Sequence, residues 1–237
     1  WLFERDKKIR LRFSRIKEIG GFSALTCLQQ SIMNLGILAV QGLVNSFGTA
    51  VMAAFAAAVK IDAFAYLPVQ DFGNAFSYFT AQNFGAGHDG RIKKGIRAAF
   101  LVSTAFSLII SVCVFVFAGP LMGLFIDSGE TAVISEGVRY LRTEGVFYCL
   151  IGWLFLLYGL CRAVGRPGMS VVLTVVSLGT RVLLAYWLSS VSALGVAGIW
   201  WSVPIGWLLA DALGAGYCFV RRKSLLSLKQ GTKKIFT

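Results

Sequence analysis

Most of the residues that could do chemistry here stand inside long apolar runs. Ser23, Cys27, Gln30, Asn34, Gln41 and Asn45 occupy one stretch. At 100° per residue they fall within about 60° of one another, a polar stripe along one helix face. Lys60, Asp62, Gln70, Asp71 and Asn74 follow in the next stretch, Arg181 and Asp211 in later ones. Polar groups in hydrocarbon are costly and face cavities or bundle interiors. Such groups bind and orient ligands or ions; they do not suggest bond-making. The single histidine, His88, has no second histidine to work with, and no Ser/His/Asp set or cluster of carboxylates is present. No catalytic residue is assigned, and no metal site. The cysteines Cys27, Cys113, Cys149, Cys161 and Cys218 stand singly, without metal-ligand spacing, and read as small buried apolar residues. The glycines between Gln82 and Gly90 lack the lysine–Ser/Thr pair of a P-loop.

The elements that hold these residues are set by composition. The chain has 237 residues, 57% hydrophobic and 14% charged. Soluble domains carry about 25% charged residues. A helix crossing the bilayer needs about 20 mostly apolar residues. Six such spans fill the chain, at about 21–43, 49–79, 98–117, 145–164, 169–188 and 194–219. The expected fold is all-α: a polytopic six-transmembrane-helix bundle over 21–220, between a basic linker, 1–20, and a basic tail, 221–237. Pro68 falls within the second span, which reads as one long, bent helix. The segment Gln82 to Arg91 reads as a glycine-rich loop, and Gly165-Arg166-Pro167-Gly168 as a tight turn.

Lysine and arginine set the orientation. Arg5, Lys7, Lys8, Arg10, Arg12, Arg15 and Lys17 precede the first span. Arg91, Lys93, Lys94 and Arg97 follow the second, Arg162 and Arg166 the fourth, and a basic tail runs from Arg221 to Lys234. The outer loops hold only Arg139 and Arg142, alongside Asp127, Glu130 and Glu136. Both termini are thus expected in the cytoplasm, and the net charge of +12 is a topology signal that needs no nucleic acid. Counting 1.5 Å per residue places Lys60, Asp62 and Asp211 at similar depth in the inner third, so that Lys60 pairs with one of the two acids or snorkels to the headgroups. Arg181 falls in the outer half of its span, with no acid clearly at its level.

Asn45-Ser46-Phe47-Gly48, Ala53-Ala54, Lys60-Ile61-Asp62-Ala63-Phe64, Pro68, Gln82-Asn83-Phe84-Gly85-Ala86-Gly87 and Arg91 resemble the second lobe of the multidrug and toxin extrusion (MATE) exporters. Gly119-Pro120-Leu121, Arg162 and Gly165-Arg166-Pro167 agree with it, so that the likeness covers nearly the whole chain. The resemblance implies one six-helix lobe of a twelve-helix transporter, a Na+- or H+-coupled antiporter exporting amphipathic or cationic compounds by alternating access. Its partners would be the cell-membrane bilayer, an N-terminal six-helix lobe and small organic substrates, with the basic start as linker between lobes. Gln30, Asn34, Gln41, Asp62 and Gln70 are then substrate-cavity candidates, and Lys60, Asp62, Asp211 and Arg181 charge or coupling candidates. Some members carry a glutamate in helix seven and an aspartate in helix ten; the corresponding Gln29–Asn34 and Tyr148–Gly152 hold no carboxylate. The coupling-ion site is therefore expected largely in the N-terminal lobe. Two alternatives stand: a lipid-linked oligosaccharide flippase of the wider superfamily, and either a truncated, non-transporting membrane fragment or a half-sized protein that must dimerise.

The topology can be checked directly. A reporter fused after Thr237 should be active as a cytoplasmic fusion, and one placed near Ser128 as an external one. The opposite pair of signals would reverse the orientation.

Overall fold

A computed structural model of the protein describes residues 13–221. The expected basic tail, apart from Arg221, and residues 1–12 of the expected linker lie outside the described residues. The described residues form seven helices: α1 (Phe13–Asn45), α2 (Thr49–Gly85), α3 (Asp89–Gly123), α4 (Thr131–Gly145), α5 (Tyr148–Ala163), α6 (Pro167–Ser190) and α7 (Val196–Val220). Five of these are long and apolar enough to cross a bilayer. α4 and α5 reach that length only as a pair, bent by 52° across Val146 and Phe147. The protein is a multi-pass helical membrane protein with five spans, or six with the bent pair counted as one.

Three features differ from the sequence expectation. α1 begins at Phe13, inside the stretch assigned to the linker. The fourth crossing, expected as one helix over 145–164, is broken, and its first half is the amphipathic α4. The glycine-rich loop after α2 shrinks to Ala86, Gly87 and His88, because both helices run into it. The turn closes by Gly87, at φ 72°, and by the His88 N–H, which donates to the Asn83 carbonyl at 2.9 Å. α2 is a single helix through Pro68.

One face of α3 turns soluble-protein burial inside out. α3 exposes Leu101, Ile109 and Val112 and buries Ser103, Ser107 and Ser111, four residues apart on one face. Lipid tails are as apolar as leucine, so helices associate through small residues that allow close approach. Gly152 of α5 sits against these serines: a Cβ there would stand 2.7 Å from Ser103 Oγ. The same logic corrects the cysteine expectation. Only Cys161 is buried, Cys149 and Cys218 are half-buried, and Cys27 and Cys113 are exposed.

α2 packs against α3, α4 and α5, and α7 against α5 and α6, while α1 leans chiefly on α6. The helices α2 and α5 meet backbone to backbone. A Cβ on Gly159 would lie 2.5 Å from the Gly73 carbonyl oxygen, and one on Gly73 would lie 2.9 Å from that of Phe155. Both obstacles are backbone, which cannot swing aside.

Gly159→Leu should therefore lower the thermal unfolding midpoint in detergent by several degrees, corresponding to a cost of about 1–3 kcal/mol for overpacking. Gly119→Ala is the control, because nothing stands within 4 Å of a Cβ there. Equal midpoints for the two variants would refute the backbone contact.

Candidate functional site

The close approach of α2 and α5 brings Asp62 against the first residue of α5. Tyr148 Oη donates a hydrogen bond to Asp62 Oδ1. Two turns earlier, on α4, Tyr140 Oη donates to Glu144 Oε2 at 2.8 Å. The two carboxyl groups and the Tyr140 hydroxyl are near enough to act on one another electrostatically. Asp62 is 5% exposed and Glu144 3%. Two acids buried together repel unless a proton or small cation lies between them. Their hydrogen bonds and a neighbouring positive charge offset part of the desolvation cost.

That charge is Arg181 of α6, which acts on Asp62, Glu144 and Tyr140 through space. The direct ion pair Arg139–Glu136, at 3.2 Å, lies elsewhere. An aromatic block braces the carboxyl pair. Phe55 stacks on Trp200 with ring centroids 5.7 Å apart, and Tyr140 meets Trp200 edge-on at 4.8 Å. Trp200 Nε1 donates to Glu136 Oε1 at 2.8 Å, tying α7 to α4.

The cluster forms one wall of a cavity of about 160 Å³. Gln30 and Asn34 of α1, Gln70 of α2, Arg181 and the aromatic rings of Tyr66, Tyr158 and Trp207 also line it. The structure thus brings together Gln30, Asn34, Asp62, Gln70 and Arg181. Gln41 is not part of the cavity wall and is exposed. It shares the face of Asn34, but seven residues carry it about 10 Å further along α1, past the cavity. Gln29, next to the stripe, is buried instead, with Oε1 3.0 Å from Ser170 Oγ.

Neither pairing expected of Lys60 forms. Its Nζ lies 5.9 Å from the centre of the Phe125 ring, just past the end of α3, and the side chain is exposed. The depth count erred. Phe55 of α2 and Trp200 of α7 stack at one level, and both helices run on from there in the same sense. Lys60 is five residues beyond that level and Asp211 eleven, which puts Asp211 roughly 9 Å deeper. Asp211 is 7% exposed, and neither of its oxygens has a hydrogen-bond partner. Lys60 stands near the end of the bundle where α2 begins, the end that the charge pattern puts outside.

The sequence reading missed Glu144 and both tyrosines. A signal was present: Tyr140, Glu144 and Tyr148 recur every four residues, the spacing of one helix face. Glu144 sits just before the apolar run of the fourth span, 145–164, and so falls outside the spans in which polar residues were sought. The expectation that Arg181 has no acid at its level failed for the same reason. Among the described residues no three His, Cys, Asp or Glu side chains converge as a metal site.

The MatE family model matches residues 26–187. The chain is 30% identical over 212 residues to the probable multidrug resistance protein YpnP of Bacillus subtilis (strain 168), covering 87% of this chain and 45% of the relative. It is 26% identical over 198 residues to the probable multidrug resistance protein YoeA of the same organism, covering 83% and 42%. A crystal structure of a MATE protein in complex with MaL6 superposes with a TM-score of 0.85 at 20% identity, covering 91% of this chain and 49% of that one. The chain thus spans about half the length of the proteins it resembles.

The tyrosine–carboxyl links generate a prediction. Tyr148→Phe removes the donor to Asp62 and should cost about 1–3 kcal/mol, the range for a buried hydrogen bond to a charged group. Tyr140→Phe should cost a similar amount. Because both serve one network, the double variant should depart from the sum by about 0.5 kcal/mol or more. Unfolding midpoints in detergent measure all three. Strict additivity would show two independent hydrogen bonds.

Proposed function

We propose a transport function from one premise: the chain belongs to the MatE family. It acts as one half of a cation-coupled antiporter in the cell membrane, exporting amphipathic organic compounds, cationic ones among them. The observation that carries this is the cavity. One wall holds a buried carboxyl pair, and aromatic rings and free amides line the rest. Rings accept the apolar part of an amphipath, and amides and charges orient its polar part.

The size of the cavity fits a half-site. Sites for drug-sized ligands run to about 300–1,000 Å³. The 160 Å³ here takes about one ring. The remainder of a larger substrate would lie against a second set of helices, which the family plan supplies as another lobe.

Asp62 and Glu144 support a coupling role for this half. A proton or Na+ between the carboxyls relieves their repulsion, and an organic cation competes with it for the same charge. Competition of this kind is what antiport needs. The ion shifts the equilibrium between inward- and outward-open states only by its differential affinity for them. Asp62 lies on α2 and Glu144 at the break between α4 and α5, so that the ion contacts elements able to move relative to one another. The distribution of lysine and arginine supports cytoplasmic termini.

Asp62→Asn and Glu144→Gln test this in the full-length protein. Each should reduce ion-gradient-driven ethidium efflux from proteoliposomes at least about tenfold, the effect of about 1.4 kcal/mol. Efflux at the unsubstituted rate in both variants would remove the coupling role from this pair.

A further inference from the structure

The cavity contains one positive group whose hydrogen-bonding capacity is unused. Arg181 lines it, and its Nε is buried with no acceptor. Neither acid comes close enough for a direct ion pair. Both acids are instead served by tyrosine hydroxyls, Asp62 by Tyr148 and Glu144 by Tyr140. A guanidinium offers five N–H donors in a flat fork that matches a carboxylate. Leaving such donors unmet in a buried site is costly.

The arginine is held where it stands. α7 packs behind it: a Cβ on Gly206 would lie 3.3 Å from Arg181 Cβ and 2.5 Å from the Ser177 carbonyl oxygen of the same helix as the arginine. The stem is therefore backed by another helix. The cavity that Arg181 lines also holds the amides of Gln30, Asn34 and Gln70 and the rings of Tyr66, Tyr158 and Trp207.

We propose that Arg181 is a specificity-determining residue, an anchor for the anionic head of an amphipathic ligand whose aromatic ring occupies the adjoining cavity. The ligand class is an aromatic carboxylate or its sulfonate equivalent. The fork binds the anion through two parallel N–H···O bonds, and the ring fills space for about one aromatic group. This deepens the transport function and rests on it. It adds that the substrate range includes organic anions alongside cations, with Arg181 and the carboxyl pair receiving opposite charges.

The test uses the full-length protein in a neutral detergent, where no anionic lipid competes. Three probes share one ring system: 2-naphthoate, the neutral 2-naphthamide and the cationic 2-naphthylmethylammonium. Dissociation constants are measured by titration calorimetry. The unsubstituted protein should bind the carboxylate about tenfold or more tightly than the amide, as expected for a charge-assisted bidentate pair. Arg181→Gln should bring that ratio to about one. Arg181→Lys, which keeps the charge and loses the fork, should retain part of the preference and shows that loss in the glutamine variant is not misfolding. A carboxylate-to-amide ratio near one in the unsubstituted protein, or a preference that survives in Arg181→Gln, overturns the proposal. Efflux from proteoliposomes separates the two readings. Ethidium efflux without carboxylate preference rejects the anchor and leaves transport standing, and carboxylate preference without efflux of any probe keeps the anchor and rejects transport.

Discussion

The backbone of α2 touches the backbone of α5 at Gly73 and Gly159, and the site depends on that contact. Any side chain at either position would hold the helices apart. With them apart, Tyr148 at the start of α5 would not reach Asp62 on α2. In water, hydrophobic burial can pull together helices of many shapes. In lipid, the helix pair gains little by hiding apolar surface, so close packing must supply the attraction. Glycine and serine at fixed spacing therefore let the helices of this bundle meet, beside a buried apolar core that includes Leu141, Leu156 and Leu173.

That packing has an electrostatic consequence. Once α2 and α5 are close, Asp62 is excluded from water and from lipid headgroups. Its charge must be met by groups within the bundle. Tyr148, Tyr140, Glu144 and Arg181 converge from α5, α4 and α6, and each comes from a helix that packs on or near α2. Asp211 shows the contrast. It is about as deeply buried, yet neither oxygen has a partner. The same helix thus carries Trp200, bonded to Glu136, and Asp211, bonded to nothing among the described residues.

The sequence makes the helices legible because a twenty-residue apolar run is suited to little besides crossing a bilayer. It makes Gln30 and Asn34 legible because a polar stripe on an apolar helix must face something. The reach of the stripe is not legible. Gln41 obeys the same periodicity and misses the cavity, since periodicity fixes a face and leaves the cavity's length open. Glu144 is hidden by a different cause. Its helix is amphipathic and stops short of a full span, so a hydropathy window leaves it outside the spans. The break at Val146 and Phe147 contains no proline, and only tertiary packing against α3 and α2 reveals it. The Gly73–Gly159 contact is the least legible of all. Glycines abound in this chain, and which two of them meet depends on the register of helices far apart in sequence.

The carboxyl cluster straddles the break in the fourth crossing. Glu144 ends α4 and Tyr148 begins α5, so that the two residues stand on opposite sides of a 52° bend. Asp62, on an unbroken helix, is bonded to Tyr148 and is near enough to Glu144 to act on it electrostatically. Glu144 Oε1 is buried with no hydrogen-bond partner, so the pair keeps a lone pair that the tyrosines do not use. A bent crossing can change the angle between its halves where a straight helix can only shift side chains, because Val146 and Phe147 are not held by a continuous ladder of i→i−4 hydrogen bonds. The half before the bend carries Tyr140, which meets Trp200 edge-on and donates to Glu144.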